Sequence, residues 1–264
     1  MSSTRTFTFK EVTFHFNSKG SGPAIVFLHG FLENKEMWNG IISSLPTALR
    51  KIIVDLPGHG KSGNIGYSHT MEEMAEMVKA LMDKLKLKKV FLAGHSMGGY
   101  VALAFAEKHP EMVKGIILMN STTRADSDQK KKDRNRAIKL VKENHKSFIR
   151  NAIPHLFRPK NRRNLLDKVK QIKTEALKTS KQGIIASLEG MKIRDDREVL
   201  LHFAPYPFLF IAAKNDPVFP FEVLEDQLQA NRVTPCVTEN GHMAHLEDFD
   251  TVLPAIKKFI RENQ

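Results

Sequence analysis

The chain has a single cysteine, Cys236, so no internal disulfide can form; the residue lies in the apolar-leaning run 233–237 and is expected to pack in the core. Long apolar runs are also missing. No stretch reaches the roughly 18 to 20 residues needed to cross a bilayer, so no spanning anchor is expected. Residues 1–20 alternate Phe with polar residues and lack the apolar segment of an export signal, so a cytoplasmic location without a membrane partner is expected. No cluster of His, Cys, Asp or Glu has metal-ligand spacing, so neither metal nor cofactor is expected. The one tryptophan, Trp38, is expected to pack rather than to stack on a substrate. Negative charge is in short supply: 41 Lys and Arg stand against 29 Asp and Glu, a net of +12. Residues 122–195 carry a net of +13 and the remainder −1, so one segment holds the whole excess. That segment has few aromatics for base stacking and no nucleic-acid motif, so no nucleic-acid partner is expected. Its charge is read first as the solvated face of amphipathic helices, and second as a field that attracts anionic substrates.

Apolar periodicity is abundant. Between residues 6 and 16 apolar residues fall at every second position, with a change of phase between Phe9 and Val12, as in a hairpin. Residues 24–28, 52–54, 90–93 and 115–119 are apolar on both faces, which suits buried parallel strands. Residues 70–87 have helical spacing behind a Thr70-x-x-Glu73 capping box, and 97–109 read as a helix ended by Pro110. This alternation predicts an α/β fold with a mostly parallel central sheet flanked by helices. It breaks at 122–195, where no strand is evident and amphipathic helices are expected around 138–152 and 165–176. It resumes with strands at 207–213 and 234–237 and helices near 221–229 and 251–261. The expected organisation is a core of residues 1–121 and 196–264 with an inserted basic helical cap at 122–195.

Gly94-His95-Ser96-Met97-Gly98 fits G-x-S-x-G, directly after a strand and directly before a helix. The glycines permit a sharp turn that lifts the Ser96 hydroxyl above the sheet. A serine hydroxyl needs a base, and the base needs a group that fixes its tautomer. Asp216 follows the strand 207–213, and His242 follows the last strand after Gly241, so Ser, Asp and His stand in chain order on strand-end loops. His245 is the rival base. The rival acid position, after the strand ending at Met119, has Asn120, Ser121 and Thr122 and no carboxylate before Asp126. Two backbone N–H groups are needed for a developing oxyanion; Met97 supplies one and Phe31, in His29-Gly30-Phe31, is the best second. His29, Gly30, His95 and Tyr100 are assigned to the walls of the substrate site.

These motifs, with Asp55-Leu56-Pro57-Gly58-His59-Gly60-Lys61-Ser62, Asn215-Asp216-Pro217 and Glu247, resemble the α/β-hydrolase superfamily in its lid-bearing branch of small-molecule serine hydrolases. The resemblance implies that residues 55–62 are structural, and that Ser96, where dehalogenases and epoxide hydrolases carry Asp, favours ester or related acyl hydrolysis. Carbon–carbon bond hydrolases and the menaquinone-pathway lyase share the triad; that lyase carries Arg four residues after its nucleophile, where this chain has Tyr100. A reading from another class is a non-catalytic protein whose cap binds polyanions. The expected partner is a small ester, anionic in one version, and the expected state is a monomer, with dimers known among capped folds.

Overall fold

The computed structural model describes residues 4–264. Strands β1 (Arg5–Phe9) and β2 (Val12–Lys19) form an antiparallel hairpin whose two-residue turn, Lys10 and Glu11, takes positive φ at both positions. This is the twist a type I′ connection requires. Phe9 is thereby opposite Val12 and Phe7 opposite Phe14, which accounts for the phase change in the sequence.

The remaining strands, β3 (Ala24–Leu28), β4 (Arg50–Val54), β5 (Val90–His95), β6 (Val113–Met119), β7 (Phe208–Ala213) and β8 (Val233–Thr238), run parallel to one another. The eight-stranded sheet has the order β1-β2-β4-β3-β5-β6-β7-β8. Alternate residues of β3 serve opposite cores: Val26 and Leu28 pack towards α2 (Met71–Lys84) and α3 (Met97–Lys108), Ile25 and Phe27 towards α1 (Asn39–Ser44) and a helix at the C-terminal end. Burial on both faces is why the strand segments read as uninterrupted apolar runs. Trp38 is fully buried against Phe27, and Cys236 is half-buried beside the same core.

Between β6 and β7 the chain forms α4 (Asp128–His155), with a break in helical geometry at Asn144, then α5 (Leu166–Ala176) and α6 (Lys181–Lys192). The first two match the predicted amphipathic patterns; α6 does not. Its Gly183 and Gly190 weaken the helical signal in the sequence, yet a Cβ at Gly190 would run into the His69 carbonyl and one at Gly183 into that of Gly58. The glycines let α6 lie directly on the core loops. After α7 (Leu200–Phe203), the helix expected near 221–229 is reduced to a 3-10 turn at Phe221–Val223 and one turn of α8 (Glu225–Leu228). Short α9 (Ala244–Glu247) leads into α10 (Phe249–Glu262). Among the described residues no helix is long and apolar enough to cross a membrane.

Candidate active site

Ser96 is the residue on which β5 turns into α3. Its φ of 50° lies in the left-handed region, where a non-glycine residue is strained. The turn is held by packing: a Cβ on Gly98 would collide with the Leu28 carbonyl of β3, so only glycine lets α3 approach the sheet this closely. Ser96 is half-buried, whereas its chain neighbours are fully buried.

Asp216 and His242 come together at the ends of β7 and β8. His242 Nδ1 lies 2.8 Å from Asp216 Oδ2 and 3.0 Å from Oδ1. The carboxylate also accepts from Val218 N–H at 2.7 Å, Phe219 N–H at 3.2 Å and the Asn120 side-chain amide at 3.0 Å. Burial works to raise the Asp216 pKa, but the adjacent imidazole and these donors outweigh it and hold the carboxyl below its ordinary value. With an ionised Asp216 as acceptor, Nδ1 carries the ring proton and Nε2 faces away from the carboxylate. Among the described residues the rival base, His245, makes no such pair. It is buried behind His95, with ring centroids 5.5 Å apart, and burial lowers its pKa to about 3.

His242 is fixed at both backbone groups. Its N–H donates to the Leu156 carbonyl from the helical segment at 2.9 Å, and its carbonyl accepts from His95 Nε2 at 2.9 Å. His95 Nδ1 is in turn 2.7 Å from Glu33 Oε2, which also accepts the Gly30 N–H at 2.8 Å. Both partners of the His95 ring are acceptors, so both ring nitrogens carry protons. Burial would lower the His95 pKa, but the Glu33 carboxylate raises it above the usual value; the reciprocal pull of His95 overcomes burial at Glu33 and takes its pKa down to about 2. Asn120, Glu33 and Phe219 were not singled out by sequence. In the sequence Asn120 marks only the lack of a carboxylate after β6, and Glu33 meets a partner 62 residues away, which no local pattern marks.

The wall assignments change. His29 Nε2 accepts from Leu56 N–H at 2.9 Å and its Nδ1 is 2.8 Å from the Gly30 carbonyl, so the ring ties the loop after β3 to that after β4. His95 likewise has both nitrogens engaged. Neither histidine has a ring nitrogen left for substrate. Gly30 spends its N–H on Glu33, and the Tyr100 ring is covered by the Arg194 guanidinium at 4.0 Å. Leu32 N–H is taken by His59 Nε2 at 3.2 Å, which leaves Phe31, among the described residues of this loop, to offer an uncommitted N–H. Met97, at the first position of α3, lies at the other side of the turn.

The 55–62 loop is structural in this arrangement: Asp55 accepts from Lys35 N–H and Nζ, both at 2.9 Å, and from Lys61 N–H at 3.1 Å. Glu247 anchors the helical segment, accepting from Arg158 N–H at 3.0 Å and the Asn161 amide at 2.8 Å. Among the described residues no group of three or more His, Cys, Asp or Glu is placed to hold a metal ion.

A family model for the alpha/beta hydrolase fold matches residues 23–249. An uncharacterized protein of Mycobacterium tuberculosis is 36% identical over 106 residues, 40% of this chain and 31% of that protein, so the chain matches about a third of that curated relative's length. The AB hydrolase superfamily protein YisY of Bacillus subtilis is 28% identical over 264 residues, covering 96% of this chain and 97% of that one. Among solved structures, a thermophilic esterase from Thermogutta terrifontis, with malate bound, superimposes with a TM-score of 0.92 at 30% identity over 99% of both chains. Sheet order, strand-end site and family match agree: the chain belongs to the alpha/beta hydrolase fold family.

Proposed function

We propose that this chain is a serine hydrolase that cleaves a small carboxylic ester, or a related acyl substrate, through an acyl-enzyme on Ser96. The observation that carries the reading is the buried Asp216–His242 pair, braced through His95 against the strained turn that holds Ser96. The likeness to the Thermogutta esterase supports it.

With its Nδ1 proton held by Asp216, the neutral His242 ring offers Nε2 as the base. Ser96 Oγ attacks the acyl carbon and passes its proton to Nε2. The oxyanion is met by the N–H groups of Phe31 and Met97. The carbon–oxygen bond to the alcohol breaks as Nε2–H protonates the leaving oxygen, and water repeats the sequence on the acyl-enzyme to release the acid and restore Ser96. The Glu33–His95 pair is a positioning device: it fixes the His242 carbonyl and ties the Phe31 loop to the same carboxylate. The helical segment 122–195 is the cap over this site.

The test is hydrolysis of p-nitrophenyl esters from acetate to octanoate by wild type and Ser96→Ala. Turnover by the wild type, reduced by roughly 10³-fold or more in the variant, is expected. Equal rates in the two proteins would contradict the acyl-enzyme.

A further inference from the structure

Most of the cations in segment 122–195 are either exposed or already matched. Asp126 is shared by Arg134 and Arg194, and Asp133 is bound by Arg136 and Gln129. Lys130, in the first turn of α4, is with Arg158, Arg162 and Lys173 among the exceptions, and it is the one beside the Asp216 loop. It is half-buried, and among the described residues its ammonium has no carboxylate within ion-pair distance. Its Nζ is 3.4 Å from the Val218 carbonyl and 5.9 Å from the centre of the Phe219 ring. Val218 and Phe219 are the residues whose N–H groups hold Asp216, and the Phe219 ring lies 5.7 Å from that of His242. An ammonium without a direct ion-pair partner among the described residues is thus one aromatic ring away from the proposed base, on the side where the cap meets the acid loop.

A partly desolvated charge without a counter-charge costs free energy, and a ligand that brings an anion offsets the cost. Burial, followed by the charge of Arg134, lowers the Lys130 pKa; Asp126 and Asp133 act the other way without outweighing them, since neither is within ion-pair distance of the ammonium. The carbonyl of Val218 and the face of Phe219 orient the group without neutralising it.

We infer that Lys130 is the specificity residue of the site, receiving the free carboxylate of a half-ester of a dicarboxylic acid whose ester carbonyl sits at Ser96. This rests on the acyl-enzyme reading and names its substrate class. The reaction is balanced by one water: the half-ester gives the dicarboxylate and the alcohol, and the carboxylate at Lys130 passes through unchanged.

The test compares monomethyl adipate with methyl hexanoate, equal in acyl length and differing in the terminal anion, by proton release at constant pH. The wild type is expected to favour the anionic ester in kcat/KM, chiefly through KM. In Lys130→Met the ratio of anionic to neutral ester should fall about 10- to 100-fold, the loss of one charge-assisted contact. Lys130→Arg should recover part of the ratio, and Lys139→Met, which removes an exposed charge from the same helix, should leave it in place. Labelling of Ser96 by a fluorophosphonate is run alongside. A labelled wild type without the anionic preference, or a Lys130→Met that keeps it, overturns the inference and leaves the acyl-enzyme standing; an unlabelled Ser96 overturns both.

Discussion

Glu33 joins three loops through one oxygen. Oε2 accepts from Gly30 and from His95, and His95 carries the connection to the carbonyl of His242. Both side chains of the Glu33–His95 pair are almost wholly buried, so removing the charge of one leaves the other uncompensated. Glu33→Gln keeps size and hydrogen-bonding capacity but removes the anion that keeps His95 doubly protonated. A neutral His95 can donate only one hydrogen bond, to the glutamine or to the His242 carbonyl. The variant is expected to lose about 3 kcal/mol of stability in urea unfolding and roughly tenfold or more in kcat, with a smaller change in KM. An unchanged kcat in a folded Glu33→Gln would show that the pair only supports the core.

At the scale of elements, α6 tests how the helical segment is seated. Gly190 lies against the carbonyl of His69, just before Thr70 caps α2. A methyl group there must push α6 off the core, although alanine favours the helix itself. Gly190→Ala is therefore expected to lower the melting temperature and raise proteolysis within 122–195; a higher melting temperature would mean that helix propensity decides at this position. The same helix marks where sequence reading stops. Strands such as β3 and β7 were legible because burial on both faces writes itself as an apolar run, and α2 because its cap and stripe are local. α6 was not, because its glycines serve a contact with residues more than a hundred positions away. In the candidate site, the strand-end turn at Ser96 and the meeting of Asp216 with His242 were legible from position and chain order. Glu33 and Asn120 were not, and His29 and His95, assigned to the substrate walls, turn out to be fastened to other loops.

At the scale of the whole molecule, buried histidines set the response to acid. Burial lowers the pKa of His59 to about 3, of His69 to about 4 and of His245 to about 3. In the unfolded chain each titrates near 6.5. Between these limits the unfolded state binds protons that the folded state refuses, so stability falls as pH drops below about 6.5; the histidine contribution levels off near pH 3 to 4, where the lowered pKa values of Glu33 and Asp216 continue the loss. His95 has the opposite sign: its raised pKa stabilises the fold below about 6.5 and is lost as pH rises through the folded value, so near pH 5 it is protonated in both states and adds no slope. Burial also lowers the pKa of His29, whose Nε2 accepts a hydrogen bond, so unfolding near pH 5 should take up at least three protons, read from the change of the urea stability with pH. A flat profile from pH 7 to pH 5 would contradict the burial of these rings.

A nucleophilic serine at position 96 is open to direct test by intact-mass analysis after reaction with a fluorophosphonate. The expected result is one adduct per chain, mapped to the peptide carrying Ser96 and lost in both Ser96→Ala and His242→Ala. An adduct on another residue, or none on a folded wild-type protein, would show that Ser96 is not the nucleophile.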